Sequence, residues 1–342
     1  MRIQLFAALF IIAVFNYSFN NTMSNLQKKI CIYLDQYAVS EMLDSKEGEL
    51  WFEIKELLQI LHQQNKIFCP ASIEHYFETS AKDFEASNEH DTFLRLLSDG
   101  YCIKPELFIT SQLISSRIRN NKITLNTYMY HNNTKPIDNK YVHTHFKEKN
   151  ENFKEIITGS LTEVNELRGL FKNDAKTVSQ YKDLLINLGR QKEIQNFIGR
   201  LKELRKEKGI TIRGDNLGTV QVPNWIDLII HQLLGKHKFT DKEVVLLISE
   251  FEKYGFSNIP TLDIRFFLTG LITSYGKKED KNDQIDIMRI SNGFSISDIF
   301  LTDKKRKHEI NELGLPKKYN TKVYSGTQND LECLRNELKS LE

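Results

Sequence analysis

The segment Asn282–Asp303, NDQIDIMRISNGFSISDIFLTD, decides how the rest of the chain is read. It sets acidic residues at Asp283, Asp286, Asp298 and Asp303 around two apolar patches. Ile285, Met288 and Ile290, with Asp286 and Arg289 between them, read as a helix that carries Asp286 in its opening turn. Ile299-Phe300-Leu301 is a continuous apolar run too short for a helix, which predicts a buried strand. Thr302 and Asp303 stand where that strand runs out. In an open parallel sheet, ligands collect beyond the carboxyl ends of the strands. An aspartate there is placed for chemistry rather than for a core.

Working outward, the same pattern recurs near the start. Ile30-Cys31-Ile32-Tyr33-Leu34 is an apolar run that ends in Asp35. A third run, Ile67-Phe68-Cys69, is followed by Pro70-Ala71-Ser72 and by a helix opening at Ile73-Glu74-His75-Tyr76-Phe77-Glu78. Pro70 marks the turn, and Ser72 supplies an N-cap hydroxyl. Three predicted strand ends, far apart in the chain, thus each deliver carboxylates.

These residues resemble the PIN-like nucleases. The likeness rests on YLDQYAV around Asp35, on PASIEHYFET after the second strand, and on the spacing of Asp286, Asp298 and Asp303 ending in FLTD. It covers Lys28 to about Lys82 and Leu262 to the C-terminus, and leaves 83–261 as a mainly helical insertion. The resemblance implies an α/β fold, a three-layer α/β/α arrangement around a parallel sheet formed by 28–82 and 262–342. It makes Asp35, Glu78, Asp286 and Asp303 an acidic quartet that binds Mg²⁺ or Mn²⁺, with Asp298 beside it to orient a water. Glu74 lies one helical turn from Glu78 on the same face, so either is a candidate ligand; Asp283 competes with Asp286 in the same way. The activity implied is endonucleolytic hydrolysis of phosphodiester bonds, in RNA before DNA. An inhibitory protein partner or self-assembly would fit such a nuclease. The alternative is a catalytically inactive PIN-like module that binds RNA or protein.

The chemistry agrees with hard oxygen donors. Crowded carboxylates repel one another and rise in pKa unless a cation neutralises them, and Mg²⁺ or Mn²⁺ suits such donors. Lys304-Lys305-Arg306-Lys307 follow Asp303 directly. Cations at a helix start oppose the macrodipole, so the run reads as a grip on a polyanion, with Lys304 and Arg306 as candidate contacts to substrate phosphate.

Composition sets the outer bounds. At 342 residues, 40% hydrophobic and 27% charged, the chain is globular material for one large domain with an insertion, or for two domains. A formal charge of +2 excludes a uniformly basic coat, so any affinity for nucleic acid must be local. Cys31, Cys69, Cys102 and Cys333 have no zinc-ligand spacing. Cys31 and Cys69 fall in predicted strands, which favours reduced thiols and a cytoplasmic setting. Residues 1–22 contain the apolar run Leu5–Phe15, of signal-peptide length but short for a membrane span of about 20 residues. A start at Met23 leads straight into the first strand; the other reading is a membrane-associated or exported protein. No stable membrane partner is expected.

Elsewhere the pattern is helical over 36–42, 47–63 and 82–100, and again over 150–208. Trp51 reads as core or groove lining rather than as a stacking platform. The polar stretch 124–145 reads as a long loop, and His143 with His145 lacks the partners of a metal site. In RQKEIQNFIGRLKELRKEKG, Ile194, Phe197, Ile198, Leu201 and Leu204 line one side. The cations of that helix read first as a solvated face paired with Glu193, Glu203 and Glu207, and second as a phosphate-tracking surface. Gly209–Pro223 suggests a small hairpin, followed by helices over 225–234, 242–254 and 262–268. Asp263 and Arg265 could pair locally or reach the site. Thr321–Tyr324 is the last predicted strand, and 330–341 a closing helix.

Overall fold

A computed structural model describes residues 29–131, 140, 143–148, 175–206, 212–217, 220–276 and 278–342. The apolar segment 1–22, Met23, and much of the predicted loop, 132–139 and 141–142, lie outside the described residues.

Strand β1 (Ile30–Leu34) leads through Asp35 into helix α1 (Gln36–Asp44), and helix α2 (Leu50–Gln63) follows. Strands β2 (Ile67–Phe68) and β3 (Ala71–Ser72) are two halves of one pathway broken at Cys69-Pro70. Proline has no N–H to give to a ladder, and the Cys69 amide donates to the carbonyl of Leu97 at 2.8 Å. Helix α3 (Ile73–Thr79) starts at Ser72, as the sequence predicts, and helix α4 (Phe84–Leu97) leads to strand β4 (Tyr101–Ile103). Strand β4 lies inside the stretch read as insertion, yet it pairs in parallel with β3. Then come helices α5 (Glu106–Ile118) and α6 (Leu125–Tyr128) and strand β5 (Met129–His131), antiparallel to β4. The start of the predicted loop at 124 is therefore ordered into a helical turn and an edge strand, because Tyr128 and Met129 are buried.

The remainder is mainly helical: α7 (Ala175–Lys206), the hairpin β6 (Gly214–Leu217) and β7 (Val220–Pro223), α8 (Trp225–Gly235), α9 (Asp241–Tyr254), α10 (Pro260–Ser274) and α11 (Lys281–Gly293). Strand β8 (Ile299–Leu301), helices α12 (Lys304–Glu312) and α13 (Leu315–Tyr319), strand β9 (Lys322–Tyr324) and helix α14 (Gln328–Ser340) complete the chain. The central sheet has the order β2-β1-β8-β9, all parallel.

Strand pleating splits the core in two. Cys31, Tyr33, Phe68 and Phe300 point into one hydrophobic cluster, shared with α5 and α7 to α11. Ile32, Leu34, Ile67, Ile299 and Leu301 point into another, built with α1, α2, α4 and α14. Successive side chains of a strand face opposite ways, so a fully apolar strand requires cover on both sides. In α7 the predicted stripe of Ile194, Phe197, Ile198, Leu201 and Leu204 is buried, and Phe197 meets Phe251 edge-on at 5.1 Å. In α11 the core residues are Ile285, Ile287 and Ile290; Met288, expected among them, is only partly covered. None of the described helices is long and apolar enough to cross a membrane.

The chain grows outward from β1 on one side through β2, and returns on the other side through β8. That reversal leaves a crevice at the carboxyl ends of β1 and β8. Tyr33 fixes the packing beneath it. Its ring stacks on Phe300 at 4.7 Å and on His75 at 5.3 Å, and it is fully buried. A Cβ added at Gly293 would stand 2.9 Å from that ring and 3.4 Å from Ile103. Because the ring is clamped on both faces, Gly293→Ala should destabilise the fold by about 1–3 kcal/mol through overpacking. Urea denaturation measures this, and an unchanged midpoint would show that the clamp yields.

Candidate functional site

The site forms because three elements each end or turn at the same crevice. Asp35 is the residue after β1, Glu78 is near the end of α3, and Asp286 is in the second turn of α11. Asp283, not Asp286, occupies the first turn of α11, so the expected position of Asp286 shifts by a turn. The three carboxylates meet on one side chain, Arg289. Its Nη1 lies 2.6 Å from Asp35 Oδ1 and 2.8 Å from Glu78 Oε2, and its Nη2 pairs with Asp286 Oδ1. Arg289 is buried, although in the residue pattern it stands only as a polar spacer between apolar positions. Its position three residues after Asp286 was the available signal, since i and i+3 share a helix face.

A second arginine continues the network. Arg306 Nε donates to Asp286 Oδ2 at 3.0 Å, while its terminal nitrogens pair with Asp283 and Glu309. Five carboxylates, Asp35, Glu78, Asp286, Asp283 and Glu309, therefore share two guanidinium groups. Lys305 adds one more cation at Asp283, 2.5 Å away. Arg306 is fully buried with its three donor positions engaged, so it is not available to a substrate phosphate. The basic run after Asp303 is thus mostly internal counter-charge: Lys307 pairs with Asp330, and only Lys304 stays exposed without such a partner among the described residues.

Asp303 caps α12, its Oδ1 accepting the Arg306 amide at 3.0 Å. Its charge reaches Asp35. Asp35 Oδ2 also accepts the Thr302 hydroxyl at 3.0 Å, which ties the end of β1 to the end of β8. His75 supports the same corner. The Ser72 amide donates to His75 Nδ1 at 2.9 Å, so Nε2 carries the proton and donates to the Leu34 carbonyl at 2.7 Å. Burial first, and then Arg289, pushes the imidazole down to about 3, so it is neutral across ordinary pH. Nothing in the residue pattern around His75 points to this role.

Two expected members are elsewhere. Asp298 sits at the amino end of β8, where its Oδ2 accepts the Cys31 amide at 2.8 Å. The whole of β8 separates it from the crevice, so it registers strands and does not orient a water there. Glu74 is buried behind Glu78, with Oε1 accepting from Asn292 at 3.1 Å and Oε2 without a partner. Burial raises its pKa. Glu78, half-way into the crevice beside Arg289, is the better placed of the pair.

Burial and the nearby cations pull the acids of the crevice in opposite directions. Glu78 is pushed up to about 7, by burial first and by Asp35 and Asp286, even though Arg289 opposes the shift. Asp35 is also raised, mainly by burial, against the pull of Arg289. Asp283 goes the other way: burial works against its charge, but Lys305, the Asp280 amide and Arg306 bring it below its ordinary value. At Asp35 and Glu78, therefore, burial suppresses ionisation by more than Arg289 restores it. These are hard oxygen donors of the kind Mg²⁺ and Mn²⁺ take, and their suppressed ionisation fits uptake of a further cation. As arranged around Arg289, however, no three acidic, histidine or cysteine side chains among the described residues form a ready metal-holding group.

The insertion contributes its own buried pairs, not a site. Arg190 binds Asp263 at 2.7 Å, with Lys318 and Tyr319 on the same carboxylate, and Arg200 binds Asp227 at 2.7 Å. Arg205 pairs with Asp241 and Lys202 with Glu252. These cations of α7 are engaged mainly by neighbouring helices, which removes them from a phosphate-tracking surface. Arg265 pairs with Glu106 rather than with Asp263. His143 Nε2 lies 3.0 Å from the Lys82 carbonyl and serves packing. Compared with protein-family models, curated proteins and solved structures, the chain matches none.

Two outcomes follow from this charge balance. Arg289→Met strands Asp35 and Glu78 and leaves Asp286 to Arg306 alone, and should cost about 3–5 kcal/mol, read by chemical denaturation; a loss below 1 kcal/mol would mean that solvent already screens them. The second is a pH effect. Glu78 holds its proton more tightly when folded, about 7 against 4.5, so the folded state carries more protons in that window. Folding therefore weakens as pH rises through it, fully by about pH 8, and the penalty vanishes below 4.5. Glu78→Gln removes this titration, so the melting temperature of the variant should gain on wild type from about pH 4.5 to 8. A flat difference between the two profiles would contradict the assignment.

Proposed function

We propose that the protein is a metal-dependent, PIN-like phosphodiesterase that cuts polynucleotides internally, RNA before DNA. The observation that carries this reading is the buried acid pair Asp35 and Glu78, with ionisation suppressed by burial, at the point where the parallel sheet reverses its direction of growth. Buried carboxylates with suppressed ionisation are costly to keep, and their position is the one where ligands of such sheets bind. The parallel order β2-β1-β8-β9, with separate cores on its two sides, is compatible with the three-layer fold that the resemblance implies.

Asp35, Asp286 and Asp303 would hold the Mg²⁺ or Mn²⁺, with Glu78 at its edge. When bound, such an ion supplies an activated water and charge stabilisation at the leaving oxygen. The chain's own groups divide the remaining work. Water adds to phosphorus, and the ester P–O bond breaks. With a pKa near 7, Glu78 is the group suited to take the proton of the attacking water. The leaving oxygen is protonated from solvent. Thr302 keeps Asp35 turned toward the crevice, and Lys304, exposed next to Asp303, offers a charge to the polynucleotide backbone. An ion held by these acids would compete with their Arg289 pairs, so affinity for the ion and those pairs would oppose each other.

A second reading has one observation in its favour. Arg289 already stands where the acids converge, and a network closed in this way would serve a catalytically inactive PIN-like module that binds RNA or a protein partner. The two readings part in a cleavage assay on mixed-sequence single-stranded RNA with Mg²⁺ or Mn²⁺. For the nuclease, Asp35→Asn and Asp303→Asn should each lower cleavage by roughly 100-fold or more, equivalent to several kcal/mol of lost charge stabilisation. Both ions should also raise the melting temperature of wild type but not of Asp35→Asn. Equal cleavage by wild type and both variants would overturn the assignment; RNA binding with no cleavage under any metal would favour the inactive module.

A further inference from the structure

Tyr37 lies two residues beyond Asp35, in the first turn of α1, at the carboxyl edge of the sheet. It is 38% exposed, and its hydroxyl has no hydrogen-bond partner among the described residues. Its ring stands within electrostatic reach of Glu41, Asp303 and Asp35, at the lip of the acidic crevice. Trp51, at the start of α2, meets Tyr37 edge-on, with centroids 6.0 Å apart and planes at 86°. Gly326, just past the carboxyl end of β9, completes the cradle. A Cβ there would fall 2.1 Å from the Tyr37 hydroxyl oxygen and 3.2 Å from the Trp51 ring. Gly326 is not among the glycines with left-handed backbone, so it is the space and not the torsion that this position supplies. The adjoining Ser325 is anchored through its amide and hydroxyl to Asp330, which holds the loop against the rings.

An exposed aromatic is ordinary when it stands alone. This one is wedged by a second aromatic and a loop glycine, keeps its hydroxyl unused, and borders the acids. We propose that Tyr37 is a stacking face for a nucleobase flanking the phosphodiester that is cut, with Trp51 and Gly326 holding its ring in position. The proposal rests on the phosphodiesterase reading and adds the substrate's base to it. Every base has a π-face, so stacking is sequence-tolerant, and each base–aromatic stack contributes about 1–3 kcal/mol. Tyr37 and the exposed Lys304 then grip different parts of one nucleotide strand, the base and the backbone.

Trp51 and Trp225 are the only tryptophans, so in a Trp225→Phe background Trp51 fluorescence reports on this lip directly. The protein is titrated, without divalent metal, with a single-stranded oligonucleotide and with an abasic oligonucleotide of equal length, each in RNA and DNA form. The base-bearing strand should quench Trp51, and Tyr37→Ala and Tyr37→Leu should each raise Kd roughly 5- to 150-fold. Tyr37→Phe should stay within about threefold, because the ring and not the hydroxyl stacks. The abasic strand should bind the unmutated protein as weakly as the base-bearing strand binds Tyr37→Leu. Equal affinity of abasic and base-bearing strands, or an unchanged Kd for Tyr37→Leu, overturns the stacking face while leaving the phosphodiesterase reading intact. Tyr37-dependent binding without metal-dependent cleavage removes the hydrolysis and keeps the stack. Absence of binding by every form removes both.

Discussion

A single guanidinium holds the centre of this molecule together. Arg289 reaches from α11 to the end of β1 through Asp35 and to α3 through Glu78, and it fixes its own helix through Asp286. Desolvating this many charges is expensive. The expense is met only because each carboxylate accepts charge-assisted hydrogen bonds from a planar donor that can serve several acceptors at once. A lysine at this position could not span the three. The consequence is a crevice whose walls are fixed in register and whose net charge is negative.

Arg306 extends that logic one step outward. By taking Asp286, Asp283 and Glu309 together, it binds α12 to α11 and makes one member of the basic run an interior counter-charge. Cations at the start of α12 oppose its macrodipole, and the acids of α11 offset that cost. The same rule governs the helical insertion and the helix that follows it, where Asp227 and Asp263 are buried and each collects more than one cation. Most polar groups taken out of water are paired; the exceptions among the described residues include Oε2 of Glu74, the side-chain amide of Gln36, Oδ1 of Asn292 and Oε1 of Glu309. The chain therefore spends its charge on internal order and leaves little for a basic exterior, in keeping with its near balance of +2.

Much of the framework was legible in the order of residues. Apolar runs at 30–34 and 299–301 could only be strands covered on both faces, and Asp35 and Asp303 had to follow them. The stripe of Ile194, Phe197, Ile198, Leu201 and Leu204 declared a buried helix face, and the turn residues of 209–223 declared a hairpin. Errors arose where distance along the chain hides proximity in space. Asp298 has the spacing of a site residue, yet one strand length carries it to the opposite edge, where it serves the Cys31 amide. Arg306 has the look of a surface cation, and burial against three acids gives it another task. Strand β4 was unreadable because three residues in a loop-like context carry no period of their own; their pairing with β3 and β5 decides their conformation.

By itself, then, the sequence determined the periodicities: which segments alternate, which carry a helical stripe, and which acids terminate an apolar run. Those are local properties, set by backbone geometry and by the need to hide apolar surface. Only the tertiary structure decided which charges meet. Coulombic pairing acts between side chains more than two hundred residues apart, such as Asp35 and Arg289, and its strength depends on burial that no local pattern encodes. The acids announced a site; the fold chose the arginine at its centre.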